Sequence, residues 1–151
     1  MPEYDPAARA KVATAVAQRE VAQFAAALVG ETSTVRPTHD RIREARHLRL
    51  LALEALDRTV IAARLDGAGW DELGEALLLD PEVAQVRYEA AAARWAAPEA
   101  AAARGPGEPG DPDVAGTAEL LDAWYAAARS ALDPQVREPV DRPVSRTLHS
   151  N

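Results

Sequence analysis

Alanine occupies 35 of the 151 positions, and no other feature of the sequence limits the fold so strongly. Alanine has the highest helix propensity of all residues but adds little apolar area to a core. Phenylalanine and methionine occur once each, and tryptophan and tyrosine three times each. We therefore predict an all-α protein whose long helices pack closely together, or whose thin core is completed by a partner chain.

Composition also limits the kinds of site that the chain can form. There is no cysteine, which excludes disulfides and thiolate metal sites. No apolar run reaches the roughly 18 residues of a membrane span, and the acidic start from Met1 to Asp5 lacks a signal-peptide pattern. We predict a cytoplasmic protein that does not bind membranes. The three histidines lack metal-ligand spacing, and no catalytic triad or phosphate-binding loop is present, so we predict no metal, no cofactor and no enzymatic activity.

The net charge of −7 is unevenly distributed. Residues 36–66 carry seven arginines against five acidic residues, whereas residues 67–96 carry two arginines against six acidic residues. Positive charge near a helix start opposes the helix dipole. An arginine cluster in that position indicates either a solvated face or a contact with nucleic acid or an acidic protein. The cluster consists of Arg41, Arg43, Arg46 and Arg49.

Helix-end signals predict two long helices in the first half of the chain. Asp5 can cap a first helix that runs from Pro6 to Val29, and Gly30 is suited to end it. A second helix is predicted from Thr38, as its cap, to about Leu65. Its apolar residues cover more than one face between Leu48 and Leu56. This helix is therefore either central to the fold or buried against a second copy.

Two short helical segments follow. Gly67–Gly69 breaks the long helix, and the apolar spacing over Trp70–Leu77 predicts a short helix. Leu78–Leu79 is a second break. Asp80 is then suited to cap a helix over Pro81–Trp95, with proline in the first turn.

The chain organisation follows from these segments. Residues 1–97 form the predicted helical domain, and residues 98–116 form a linker rich in proline and glycine. Thr117 is suited to cap a C-terminal helix over residues 117–132, and residues 133–151 are predicted to be an extended tail. Two of the six Trp and Tyr residues lie on the C-terminal helix, so we expect it to dock on its own core or on a second chain.

The run from Ala62 to Leu77 has glycine, tryptophan, leucine, glycine and leucine in a fixed register, at Gly67, Trp70, Leu73, Gly74 and Leu77. This pattern resembles the helix-turn-helix of small actinobacterial DNA-binding proteins and of sigma-factor-like domains. The resemblance extends over about residues 48–95 and implies a bundle built around a helix-turn-helix. Gly74 supplies the small residue where the two short helices cross. The implied core consists of Trp70, Leu73, Gly74, Leu77, Ala84 and Tyr88. Val83 is a further candidate to face this core, that is, an inward candidate.

The resemblance also implies which residues would meet DNA. The exposed side of the third helix of the motif would enter the major groove. Gln85 could read adenine and Arg87 could contact a phosphate. The candidate DNA-binding residues of this helix are Pro81, Glu82, Gln85, Val86, Arg87 and Arg94. The arginine cluster of the long helix would contact the DNA backbone through Arg41, Arg43, Arg46 and Arg49.

The chain departs from the pattern at the turn and at the start of the third helix. Leu78 stands where the family has glycine, and a leucine at positive φ costs roughly 1–2 kcal/mol. We therefore expect a turn of another shape. Asp80, Pro81 and Glu82 stand where the family has Ser-Arg-Gln, so two carboxylates would face the phosphates.

These observations leave three hypotheses for the function. The first is a DNA-binding, transcription-associated regulator of the helix-turn-helix type, acting as a homodimer. The second is an adaptor with the same shape that binds a basic protein surface, such as part of the transcription machinery. The third is a structural subunit of a larger assembly, ordered by its neighbours. In the second hypothesis the contacts are made by Asp71, Glu72, Glu75, Asp80 and Glu82.

Overall fold

A computed structural model describes residues 4–97, 105–129 and 141–149. Within these ranges the chain forms five α-helices and one 3₁₀ helix, and none of the described residues lies in a strand. The all-α prediction is confirmed. The elements are α1 (Pro6–Gly30), α2 (Thr38–Leu65), α3 (Trp70–Leu77), α4 (Pro81–Ala96), α5 (Val114–Ala128) and η1 (Ser145–Leu148).

Helices α1 and α2 run antiparallel and form a long hairpin. At its base the Lys11 Nζ lies 2.9 Å from a carboxylate oxygen of Asp66. At its tip the Arg36 guanidinium bridges Glu31 and Glu44, each at 2.5 Å. The hydrogen bond to Glu44 is the main cause that raises the pKa of Arg36. The two ends of the hairpin are thus each fixed by an ion pair.

The first half of α1 is the central helix of the protein. It contacts α2, α4, α5 and η1. Alanine on several sides allows these neighbours to approach closely, which is how a chain with few bulky residues forms a core. One buried cluster joins this half of α1 to α2, α3 and α4 through Ala10, Ala13, Val60, Ile61, Ala62, Leu73, Tyr88 and Trp95. The other joins it to α5 and is formed by Val12, Val16, Val114, Ala118 and Leu121, with Val144 and Leu148 packed against it.

The long helix α2 is therefore only partly central. Its buried residues are confined to Val60, Ile61 and Ala62 near its C-terminal end. Ahead of them, Leu50, Leu53 and Leu56 of the predicted wide stripe are all exposed.

The start of α2 differs by one residue from the prediction. Pro37 occupies the N-cap position, and Thr38, the predicted cap, is already the first helical residue.

The expectation of another turn shape after α3 was wrong. Leu78 adopts the left-handed conformation, with φ 56° and ψ 41°. The Leu79 N–H donates to the Gly74 carbonyl at 2.9 Å, and the Leu78 N–H donates to the Glu75 carbonyl at 3.2 Å. This pair of bonds is the Schellman motif, which satisfies helix carbonyls that have no partner within the helix. The hydrogen bonds offset the steric cost that led us to expect a different turn.

Part of the predicted linker packs on the helical core. Arg9 donates to the Asp111 carbonyl at 2.9 Å, and Arg58 donates to the Gly107 carbonyl and to Glu108. Gly107 is buried with φ 83°, and a Cβ there would lie 3.0 Å from Val16. Residues 98–104 lie outside the described residues.

Helix α5 begins at Val114, three residues before the expected start. Asp113 caps it, because its carboxylate accepts from the Gly116 N–H at 3.0 Å. The predicted cap Thr117 is instead within the helix, and its hydroxyl donates to the buried Asp111 at 2.9 Å. The residues from 130 to 132 of the predicted helix lie outside the described residues.

The described part of the predicted tail is held against the core. Residues 141–149 include η1, which contacts α1 and α5. The buried Asp122 accepts from the Val144 N–H at 2.7 Å, from the Ser145 N–H at 3.0 Å and from the Ser145 hydroxyl. This segment is not extended. The rest of the predicted tail, residues 133–140 and 150–151, lies outside the described residues.

Candidate protein-interaction surface

Helices α3 and α4 cross where α3 has its glycine. A Cβ added to Gly74 would lie 2.8 Å from the Leu79 carbonyl oxygen and 3.1 Å from Pro81 Cα, both backbone atoms. Of the other residues predicted to form the core of the motif, Leu73, Ala84 and Tyr88 are buried. Trp70 and Leu77 are half-buried and pack against the first core cluster. Val83, an inward candidate, is instead 49% exposed.

Tyr88 connects α4 to α2 by a polar contact. Its hydroxyl donates to Asp57 Oδ1 at 2.7 Å. Burial is the main cause that raises the pKa of Tyr88 to about 12, and the hydrogen bond to Asp57 adds to it. The phenol therefore stays protonated through the physiological range and acts as a fixed donor. This contact sets the orientation of α4 relative to α2.

Two candidate phosphate ligands, Arg87 and Arg94, lie on the side of α4 that borders α2. They line a groove of about 640 Å³ together with Glu54, Asp57 and Arg58 of α2. The Arg87 guanidinium lies 3.9 Å from Asp57 and stacks at 5.3 Å over the Tyr88 ring. Glu108 also lines the groove and is bound by Arg58. The groove is therefore lined by three acidic side chains and three arginines, whose formal charges cancel.

The side of α4 that points away from α2 has a different character. Its exposed residues, which we call the α4 face, are Glu82, Val83, Val86, Glu89 and Ala90. Val83 is 49% and Val86 is 85% exposed. Among the described residues neither Glu82 nor Glu89 forms an ion pair, and Glu89 only accepts from Gln85 at 3.1 Å. The face is apolar at its centre and carries two carboxylates on one edge, and the exposed Arg87 and Arg94 flank its other edge, four residues after Val83 and Ala90.

Further acidic and apolar residues are exposed on α3 and in the turn before α4. Asp71, Glu72 and Glu75 are exposed on the outer side of α3, and Asp80 is exposed at the N-cap of α4. Leu78, in the turn, is 92% exposed. Sequence reasoning identified Leu78 only as a departure from a pattern and did not count it as a surface residue. The sequence signal that could have identified it is the presence of leucine at a position where the pattern has glycine.

The arginine cluster of α2 lies apart from these features. Arg41, Arg43, Arg46 and Arg49 are all exposed. Arg43 pairs with Asp40 at 2.7 Å, whereas the side chains of the other three form no ion pair or hydrogen bond with any described residue. At 1.5 Å per residue, Arg49 lies about 12 Å and Arg41 about 24 Å along α2 from the Asp57 contact with α4. The structure does not bring the cluster together with Arg87.

Comparisons of the chain with protein-family models, with curated proteins and with solved structures gave no match. No helix among the described residues is both long enough and apolar enough to cross a membrane. In the same part of the chain, no three His, Asp or Glu side chains are grouped so that they could hold a metal ion.

Proposed function

We propose that the protein is an interaction module that binds a basic, partly apolar protein surface through the α4 face. The observation that carries this proposal is the composition of that face. A helix that reads DNA presents arginine and polar side chains to phosphates and base edges. Of the positions that the resemblance assigns to the groove, Glu82 is a carboxylate and Val86 an exposed valine, and the exposed Val83 and Glu89 lie on the same side of the helix. Carboxylates repel phosphates, and exposed valines are suited to an apolar protein contact.

Leu78 supports the same proposal by an independent route. A leucine in the left-handed conformation is strained, and this side chain is 92% exposed, so its packing within the chain does not offset the strain. The Schellman motif accounts for the left-handed backbone but not for the choice of leucine over glycine, and an unfavourable residue kept at such a position is typical of functional sites. An exposed leucine in the turn before α4 extends the apolar centre of the docking surface.

The proposal can be tested by placing a photo-crosslinking amino acid at Val86 in the native cell. We expect covalent capture of a protein with a basic surface, identified by mass spectrometry. The same label at Leu120, which is 67% exposed on α5, is the matched control. Adding Glu82→Arg and Glu89→Arg to the Val86-labelled chain is expected to abolish the capture. Equal capture at Val86 and Leu120 would refute the proposal.

A second candidate is supported by the α2 arginines. Arg41, Arg46 and Arg49 are exposed cations that bind no described residue, so they are free to contact phosphates of DNA. In this candidate the protein is a transcription-associated regulator that contacts the DNA backbone through α2. The affinity for duplex DNA should then fall with salt concentration.

The DNA candidate is tested by fluorescence anisotropy at several salt concentrations. Replacing all three arginines by alanine is expected to reduce the slope of log K against log salt by about 3, since each lost phosphate contact removes about 0.9. Arg87→Ala, which removes a cation held by Asp57, is the control and should change the slope little. Absence of salt-sensitive binding at low ionic strength would exclude this candidate.

A further inference from the structure

The outer part of the α1–α2 hairpin has no core of its own. Between residues 18 and 59, a stretch that the structure describes throughout, no residue is buried. Phe24 packs edge-on against His47 at 4.8 Å, and Leu48 and Leu51 are half-buried on the side of α2 that α1 covers. Helices derive most of their stability from tertiary packing. A two-helix extension of this length would therefore gain stability from a further surface to pack on.

The opposite side of α2 carries an exposed apolar stripe. Helical geometry places six residues on this side, over an arc of about 120°. Ile42 is 57%, Leu50 is 61% and Leu53 is 38% exposed. The α2 stripe, as we call it, consists of Ile42, Arg46, Arg49, Leu50, Leu53 and Leu56. It combines leucine and isoleucine with two arginines that bind no described residue.

The α2 stripe and the α4 face are complementary in charge, and the stripe is the longer of the two. Both carry exposed apolar residues. The stripe also carries two arginines that form no ion pair with a described residue, and the face carries two glutamates that form none, of which Glu89 accepts a hydrogen bond from Gln85. From Ile42 to Leu56 the stripe is about 21 Å long, and from Glu82 to Ala90 the face is about 12 Å long. The stripe is thus long enough to cover the whole face.

The two surfaces cannot meet within one chain. The side of α4 that borders α2 is occupied by Arg87, Tyr88 and Arg94, and the α4 face points the other way. A second copy, however, supplies both surfaces at once. If the stripe of each copy covers the face of the other, the two contacts are equivalent by symmetry and the assembly closes as a dimer.

We propose that two copies of this chain form a two-fold dimer in which the α2 stripe of each copy docks on the α4 face of the other. This inference rests on the proposed function, because it names the partner of the same docking surface. The charges across each contact are opposite in sign. The dimer should therefore weaken as the salt concentration rises.

Charge reversal tests the reciprocal arrangement by sedimentation equilibrium between about 1 and about 100 µM. The wild type is expected to be dimeric. One variant, Arg46→Glu with Arg49→Glu, has an acidic stripe and an acidic face. The other, Glu82→Arg with Glu89→Arg, has a basic stripe and a basic face. Each alone should dimerise about 100-fold more weakly or worse, since like charges then meet.

Mixing the two variants restores opposite charges at both contacts, so a heterodimer should form with an affinity near that of the wild type. All the substituted residues are exposed, and circular dichroism verifies that each variant is folded. A monomeric wild type, or a mixture that stays monomeric, would overturn the inference. So would a variant with Glu82→Arg and Glu89→Arg that dimerises like the wild type, because two stripes would then be pairing directly.

Crosslinking at Val86 separates this inference from the proposed function. If the wild type is a monomer but Val86 captures a different basic protein, the dimer inference fails and the proposed function stands. If Val86 captures only a second copy and the mixed variants form the heterodimer, the dimer inference and the proposed function both stand. The second copy is then the protein that the docking surface binds. If reversal of Glu82 and Glu89 changes neither the capture nor the assembly, both fail.

Discussion

Replacing Leu78 by glycine is expected to stabilise the protein. The left-handed conformation costs leucine about 1–2 kcal/mol, whereas glycine adopts it without steric cost. The greater freedom of glycine in the unfolded chain offsets about 0.5–1 kcal/mol of this gain. Since the side chain is 92% exposed, little packing is lost. The difference spans about 0–1.5 kcal/mol, so the free energy of unfolding should rise by about 0.75 kcal/mol at the middle of that range, and the Tm by about 2 °C.

Urea unfolding followed by circular dichroism measures this change, with an unchanged m-value as the sign that the unfolded state is comparable. Leu78→Ala is the matched control, because alanine removes the exposed side chain but keeps the Cβ that causes the strain. It should leave the stability nearly unchanged. Equal stabilisation by both substitutions would refute the argument from backbone strain, and so would a clear loss of stability in Leu78→Gly. If Leu78 is part of the docking surface, the stabilised variant should also show weaker capture at Val86.

Three further predictions concern the contacts that hold the helices together. Gly74→Ala should destabilise the fold by about 1–3 kcal/mol in urea unfolding, since the new Cβ would lie 2.8 Å from a backbone oxygen. Gly30→Ala, where a Cβ meets nothing within 4 Å, is its control, and equal effects would contradict the close crossing of α3 and α4. Tyr88→Phe should cost about 1 kcal/mol, because it removes the hydrogen bond to Asp57. Since the pKa of Tyr88 is raised from 10.0 to about 12 by folding, its contribution to stability is complete below pH 10 and disappears as the pH rises through 12. Parallel stability curves of wild type and Tyr88→Phe over this interval would contradict the shift. Asp122→Ala should speed hydrogen exchange at the amides of residues 144 and 145 by at least about tenfold, and unchanged exchange would contradict the role of that carboxylate.

The ends of helices followed well from the sequence where local chemistry determines them. Pro6 and Pro81 are first helical residues, as predicted from the fixed φ of proline. The start of α5 was missed because Asp111, Asp113 and Thr117 each offer a cap within seven residues. The choice among them depends on Asp111 being buried, and burial is decided by packing against α1.

The candidate surface was only partly predictable. Spacing on a helix shows which residues share a side, and it correctly placed Glu82 and Val86 on the outside of α4. It could not show which neighbour covers each side. Val83 is therefore exposed although it was an inward candidate, and Arg87 lies against Asp57 although it was a phosphate candidate.

The sequence by itself determined that the chain is helical, with two long helices followed by two short ones, because propensity and helix-end signals act within a few residues. It also determined the imbalance between the basic α2 and the acidic α3 and α4. Only the tertiary structure decided that the first half of α1 is central, that Leu78 accepts a strained turn, and that the α2 stripe and the α4 face are both left uncovered. These outcomes depend on contacts between residues far apart in the chain, whose free energies outweigh local preferences of about 1 kcal/mol.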